Sequence, residues 1–174
     1  MASPAVALLD PIALGQAPVL ANLFELYVHD FSEQLPLDLQ PSGLFELTPG
    51  DEWWKRDDHF PFFIRSADQG KLLGFALVRR GSRVTGESQV MDVAEFFVVR
   101  GARARGVGSA AALALFARFG EPWEIRVRES NEVARKFWSR VVTRWLGRLL
   151  VPEPFLRDGV SWSLLRVPAP STSE

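Results

Sequence analysis

The sequence predicts an α/β fold in which a sheet is flanked by helices, and three observations carry that prediction. Residues 90–111 read as a buried strand, an arginine-bearing turn and a helix that opens on glycines and small residues. Downstream, a strand from Trp123 to Val127 repeats the order, with a helical pattern resuming after Asn131. Upstream, two apolar runs bracket Asp68-Gln69-Gly70-Lys71, the composition of an antiparallel hairpin closed by a glycine turn.

Taken in order, Ala5 to Leu9 is the first predicted strand. After Gly15, Pro18 suits a first helical turn, where a missing N–H removes no hydrogen bond, and Val19, Leu20, Leu23, Phe24, Tyr27, Val28 and Phe31 recur at helical spacing. From Pro36 to Pro49 the prolines and glycines predict an irregular connection bordering a site, followed by a short helix over Glu52 to Lys55. Phe60 to Arg65 and Leu72 to Arg79 are the hairpin strands, and Gly81 to Ser88 turns the chain into a strand from Met91 to Val99. Its apolar run from Val93 to Val99, broken only by Glu95, fits burial on both faces. Ser109 to Phe119 is a helix rich in alanine, leucine and phenylalanine. In the helix after Asn131, the residues Val133, Ala134, Phe137, Trp138, Val141 and Trp145 face the core, opposite Arg135, Lys136, Arg140 and Arg144. Strands from Arg148 to Pro152 and from Val160 to Val167 complete the sheet. Residues 1–167 are expected to form one domain and residues 168–174 a flexible tail. No internal repeat is found.

The turn at 100–109 has the makings of a phosphate cradle. Gly106 and Gly108 let backbone approach a ligand without an intervening Cβ, and the first amides of the following helix have no intrahelical acceptors. Those amides, the positive end of the helix dipole, and Arg103 and Arg105 would together suit a diphosphate.

Spacing separates three phosphate-binding patterns. A nucleoside-triphosphate loop fails, because Val107 and Gly108 stand where lysine and serine or threonine are needed. A dinucleotide fold is a serious rival: Gly106-Val107-Gly108-Ser109-Ala110-Ala111 satisfies the glycine pattern, and Glu129 lies roughly 20 residues on. Against it, six residues separate Val99 from Gly106, and the strand-helix-strand units are too few for a doubly wound sheet. The third pattern fits best. Arg103-Ala104-Arg105-Gly106-Val107-Gly108 resembles the Gln/Arg-x-x-Gly-x-Gly/Ala signature of the GNAT superfamily of acyl-CoA-dependent N-acyltransferases. Asn131-Glu132-Val133-Ala134-Arg135-Lys136-Phe137 resembles the same family's Asn-x-x-Ala-x-x-Phe segment, in the right order and after the next strand.

The resemblance implies a mixed, mostly antiparallel sheet of six to seven strands whose splayed central strands hold acetyl-CoA. It implies that the amides of Arg103 to Ser109 bind the pyrophosphate, that backbone groups of Phe97 and Val98 pair with the pantetheine arm, and that Asn131 and Phe137 flank that arm. By itself Asn131 reads first as the cap of its helix; with the glycine turn one strand upstream, contact with the cofactor carries about equal weight, and one asparagine can do both. The expected reaction is direct attack of a primary amine, from a small molecule or peptide, on the thioester in a ternary complex.

Glu95 is the candidate base. A carboxylate within a run of Val, Ala and Phe is costly to bury unless hydrogen-bonded or facing a wet cleft, and partial burial raises its pKa toward proton acceptance. The alternative is an ion pair with a nearby arginine, and Asp92 is the reserve candidate. Many relatives place a tyrosine general acid beside the motif phenylalanine, where this chain has Trp138; its only tyrosine is Tyr27. Tyr27, His29 and Asp30 are accordingly candidate acceptor-site residues, because the first helix lines that pocket in relatives. The missing tyrosine keeps a second function class open, an acyl-CoA-binding module with weak or no turnover.

Composition is compatible with this reading. The 174 residues are 47% hydrophobic and 24% charged, enough for a substantial core. Cysteine is absent, which excludes disulfides, a thiolate nucleophile and cysteine metal sites, and two histidines make no metal cluster. A net charge of −1 argues against nucleic acid as a main ligand. No apolar run approaches the ~20 residues of a membrane span, so a cytoplasmic monomer or homodimer is expected.

Overall fold

The computed structural model describes residues 7–170. Seven strands form one sheet in the order β1-β2-β3-β4-β5-β7-β6: β1 (Ala7–Pro11), β2 (His59–Ser66), β3 (Leu72–Arg80), β4 (Met91–Val98), β5 (Trp123–Arg128), β6 (Glu153–Arg157) and β7 (Val160–Val167). The four helices are α1 (Ala17–Phe31), α2 (Glu52–Lys55), α3 (Val107–Phe119) and α4 (Glu132–Leu146). Every neighbouring pair of strands is antiparallel except β4 and β5, which are parallel. The mixed, mostly antiparallel sheet is therefore as expected.

Burial on both faces explains the continuous apolar runs in the middle strands. Phe62, Ala76, Val78, Met91 and Val93 pack with α3 and α4, whereas Phe63, Phe75, Leu77 and Phe97 pack with α1 and with Trp53 of α2. Consecutive residues thus serve opposite layers. Helices α3 and α4 each end on a residue suited to stopping them. Gly120 and Gly147 close α3 and α4 in the left-handed conformation, and the Asn131 side chain caps α4 by accepting from the Ala134 amide at 3.0 Å.

The feature that makes room for a site is the seam between β4 and β5. They pair only at Met91↔Trp123, Asp92↔Glu124 and Val93↔Ile125. Immediately beyond, β4 carries a bulge against β3: Leu77 lies opposite Glu95 and Val78 opposite Val93, leaving Ala94 as the extra residue. A bulge bends its strand, and here the bend coincides with the loss of β5 as a partner. The expected splay is present.

Several boundaries differ from the sequence reading. The first strand begins at Ala7, and the predicted Ala5 lies outside the described residues. The predicted strand over Arg148 to Pro152 is not formed. Leu149 and Val151 are exposed, and the strand is instead β6, joined to β7 by Asp158-Gly159 with φ of 51° and 74°. Two residues at positive φ make the tight hairpin turn that Asp-Gly favours, and that turn sets the register Arg157↔Val160. Val19 and Val133, placed by spacing on core faces, are also exposed, at 41% and 78%.

Candidate active site

Two adjoining cavities open where β4 and β5 part. The first, of about 500 Å³, runs along the end of β4, the turn before α3 and the facing side of α4. The second, of about 630 Å³, lies over β4, β5 and the loops around α2. Tyr27, Phe31, Phe96, Asn131, Ala134 and Trp138 line both.

The smaller cavity contains the turn singled out in the sequence. Ala104 and Gly106 hold φ of 59° and 81°, so the chain folds back on itself before entering α3. Gly106 needs no side-chain room, since a Cβ there would meet nothing within 4 Å; its requirement is the positive φ. Gly108 is the converse. A Cβ there would stand 3.2 Å from the Phe137 ring, so this glycine brings α3 and α4 together beneath the cleft. The first bonded amide of α3 is that of Ala110, which donates to Gly106 at 2.9 Å, leaving the amides of Val107, Gly108 and Ser109 without intrahelical acceptors.

Of the residues expected at this site, Phe97, Val98, Arg103, Ala104, Gly106, Gly108, Ser109, Asn131 and Phe137 line the smaller cavity. Val107 is buried in a cluster with Ile64, Val98 and Ala111, so only its backbone is available. Arg105 is exposed and outside the lining. Arg103 has a role that the sequence did not reveal. Its Nε donates to the Val98 carbonyl at 2.7 Å, its guanidinium lies 5.6 Å over the Phe97 ring, and it is ion-paired with Asp30. Asp30 also accepts from Arg100 at 2.8 Å. Burial pushes the Asp30 carboxyl up, but the hydrogen bonds from the two arginines outweigh it and hold the group below its ordinary value. Asp30 therefore clasps α1 to the glycine turn, whereas His29 is exposed and lines neither cavity.

Glu95 stands in the larger cavity, and its partner is a hydroxyl. Tyr27 donates to Glu95 Oε2, and among the described residues Glu95 has no ion pair. Burial pushes the Glu95 carboxyl above its ordinary range, only partly offset by the Tyr27 hydrogen bond and the charges of Arg126 and Arg79. Burial, followed by the charge and hydrogen bond of Glu95, raises the Tyr27 phenol well above its usual value. Asp92, the reserve candidate, is fully buried and engaged by Arg79 at 2.7 Å and by both nitrogens of an Arg126 fork at 3.1 and 3.0 Å. It holds guanidiniums instead of facing a reactant.

Sequence reasoning missed the other walls of the larger cavity, including Phe31, Trp53, Arg79, Arg126, Arg128 and Trp162. A signal existed for two of them. Arg126 and Arg128 alternate with buried Ile125 and Val127 in an apolar strand, the same anomaly that singled out Glu95. Glu129, which the dinucleotide pattern required free, is bound by Arg135 and Ser163.

The GNAT acetyltransferase family model matches residues 20–142, from α1 through most of α4. The chain belongs to the GNAT acetyltransferase family. Solved structures agree on the fold. An acetyltransferase from Thermus thermophilus superposes with a TM-score of 0.64 at 15% identity, covering 95% of this chain and 99% of that one. A histone acetyltransferase HPA2 and related acetyltransferase from Corynebacterium glutamicum ATCC 13032 gives 0.63 at 19% identity, covering 98% and 100%. A spermidine N-acetyltransferase SpeG chimera from Vibrio cholerae and hSSAT gives 0.58 at 12%, covering 93% and 94%. No curated protein matches the sequence. Within this GNAT domain, a diphosphate with a pantetheine arm suits the smaller cavity on two grounds: amides without acceptors, and β4 backbone without a β5 partner beyond Val93. Among the described residues no group of histidines and carboxylates has the makings of a metal site, and no helix is long and apolar enough to cross a membrane.

Proposed function

We propose that this protein is an N-acetyltransferase that binds acetyl-CoA in the smaller cavity and a primary amine in the larger one. The observation that carries the reading is the position of the Tyr27–Glu95 pair, where two cavities of unlike chemistry meet. Acetyl-CoA supplies the activated acyl carbon, its diphosphate on the amides of the glycine turn and its arm along Phe97 and Val98. Opening the Asp30 clasp frees Arg103 toward the diphosphate.

Glu95 accepts the proton that the amine loses as its nitrogen bonds to the carbonyl carbon. Its raised pKa makes it a better proton acceptor than an exposed carboxylate. Trp138 occupies the place of the family's usual tyrosine and has no acidic proton to give. Tyr27 lines both cavities, and because protonation of Glu95 removes one of the causes that raise its phenol, we assign the Tyr27 hydroxyl the proton that the thiolate takes when the carbon–sulfur bond breaks. Protonated Glu95 returns a proton to the Tyr27 oxygen, and the proton count closes with no covalent enzyme intermediate. A free-thiol assay with acetyl-CoA and a panel of amines tests the reading. Release that requires an amine supports it; tight CoA binding without release by any amine supports the binding-module alternative.

A further inference from the structure

The two halves of the larger cavity differ sharply. Toward α1 and α2 its walls are aromatic and aliphatic, but toward β5 and β7 it presents Arg79, Arg126 and Arg128, then runs into a further cavity of about 340 Å³ that adds Arg83 and Arg157. The carboxylates facing these five guanidiniums are Asp92, fully buried beneath Arg79 and Arg126, Asp158, whose side chain is 92% exposed, and Glu95, which lines the same cavity and is bonded to Tyr27 without an ion pair. Arg128 is held 5.1 Å over the Trp162 ring, and Arg79 Nε is buried without a hydrogen-bond partner.

A cluster of like charges is self-repelling, and here Arg79 and Arg126 share the single carboxylate of Asp92 while Arg83 and Arg128 have no ion pair among the described residues. Arg83 and Arg126 both act against the charge of Arg79, which burial already disfavours. Such an arrangement is stabilised by an anion. Guanidinium forks match the planar geometry of carboxylate and phosphate, and Arg79 and Arg126 are pre-oriented by a shared buried anion instead of waving in solvent. The cluster also borders the proposed reaction centre, since the charges of Arg126 and Arg79 reach Glu95 and that of Arg128 reaches Tyr27.

We infer that the acceptor is an amine that also carries an anionic group, a carboxylate or phosphate, seated on the arginine cluster with its amino group directed to Glu95. This rests on the acetyltransferase reading of the same cavity. It also disfavours a polyamine bound with its second ammonium against the guanidiniums.

The test uses the full chain with saturating acetyl-CoA and matched amines: amino acids against their carboxamides, O-phosphoethanolamine against ethanolamine, and spermidine. Hydrogen bonds to a charged group predict that the anionic member wins in kcat/KM by roughly ten- to a hundredfold. The first series reports a carboxylate site and the second a phosphate site. Arg128→Gln should reduce that ratio to a few fold, and Arg128→Lys should restore part of it. A preference for the neutral amines or for spermidine overturns the inference. If no amine is turned over, thermal shifts in the presence of CoA separate the two readings. A larger shift with the anionic amine, lost in Arg128→Gln, supports the anion site while refuting acetyl transfer; equal shifts, or none, refute the anion site.

Discussion

Replacing Glu95 by glutamine separates proton acceptance from structure more cleanly than any other single change in this site. Glutamine keeps the shape and an oxygen that accepts the Tyr27 hydroxyl, whereas alanine would leave that hydroxyl unpaired at about 1–3 kcal/mol. The folded protein should therefore tolerate glutamine well. It should even gain stability at neutral pH. A carboxyl whose native pKa is above its unfolded one disfavours folding by about 1.4 kcal/mol per unit of difference once pH exceeds both values. The gain of Glu95→Gln over wild type should thus be full above the raised native pKa, shrink as pH falls through the interval, and vanish below the ordinary carboxylate range. Turnover should move the other way. Loss of a general base predicts a fall of roughly 10²- to 10⁴-fold in kcat/KM at neutral pH, shrinking at higher pH as free amine becomes abundant. Thiol-release profiles and urea unfolding at two pH values read both effects. Wild-type kcat/KM across the profile, in a mutant whose unfolding midpoint has moved as described, would assign Glu95 a purely structural role.

The two glycines of the cradle should fail differently. Gly106→Ala meets no atoms but is strained at φ of 81°, so urea melts should show a loss of about 1 kcal/mol, with CoA affinity falling only if the turn reshapes. Gly108→Ala pushes on Phe137 from 3.2 Å, and calorimetry should show weaker CoA binding even though alanine favours the helix by roughly 1 kcal/mol. Asp30→Asn removes a carboxylate from beside the proposed diphosphate site and frees Arg103, so CoA should bind more tightly by a few fold; unchanged affinity would place the diphosphate away from Arg103. Asp92→Asn leaves Arg79 and Arg126 uncompensated and should destabilise the fold by about 3–5 kcal/mol in denaturant melts, whatever the substrate.

What was legible in the sequence follows the reach of each physical signal. Strands β2 to β4 announced themselves because burial on both faces demands largely apolar runs, β5 because Trp123, Ile125 and Val127 alternate with charged residues, and α1 and α4 because a half-buried helix imposes its period. β6 was misplaced because apolarity was the guide. Leu149 and Val151 attract a strand reading yet are exposed, whereas β6 is an edge strand on which only Phe155 is half-buried, fixed by its turn and not by a core. The stronger clue was Asp158-Gly159, since a two-residue turn at positive φ sets both the position and the register of what precedes it. The exposed Val19 and Val133 mark a different limit. Helical spacing gives the direction in which a residue points, but whether anything covers it depends on another element. Above Val133 lies the cavity itself.

The candidate site divides along the same line. Its proposed cofactor side centres on one continuous turn and the start of the next helix, between the end of β4 and α4, so adjacent residues carry the pattern and a motif can be read. Its acceptor side draws on α1, the loops around α2, β3, β5 and β7, and its central contact joins residues 68 apart, Tyr27 and Glu95. No local period encodes such a meeting. Trp138 shows why a motif read alone misleads here: the tryptophan is wedged at 5.1 Å from Phe96 and 5.0 Å from Phe137, so the place is filled as a wall between the cavities. Tyr27, delivered from α1, nevertheless lines both of the cavities that Trp138 lines. A proton donor is defined by what it can reach, and reach across a splayed sheet is a property of the fold; the absence of tyrosine from α4 is therefore a statement about α4, not about the chemistry available to the protein.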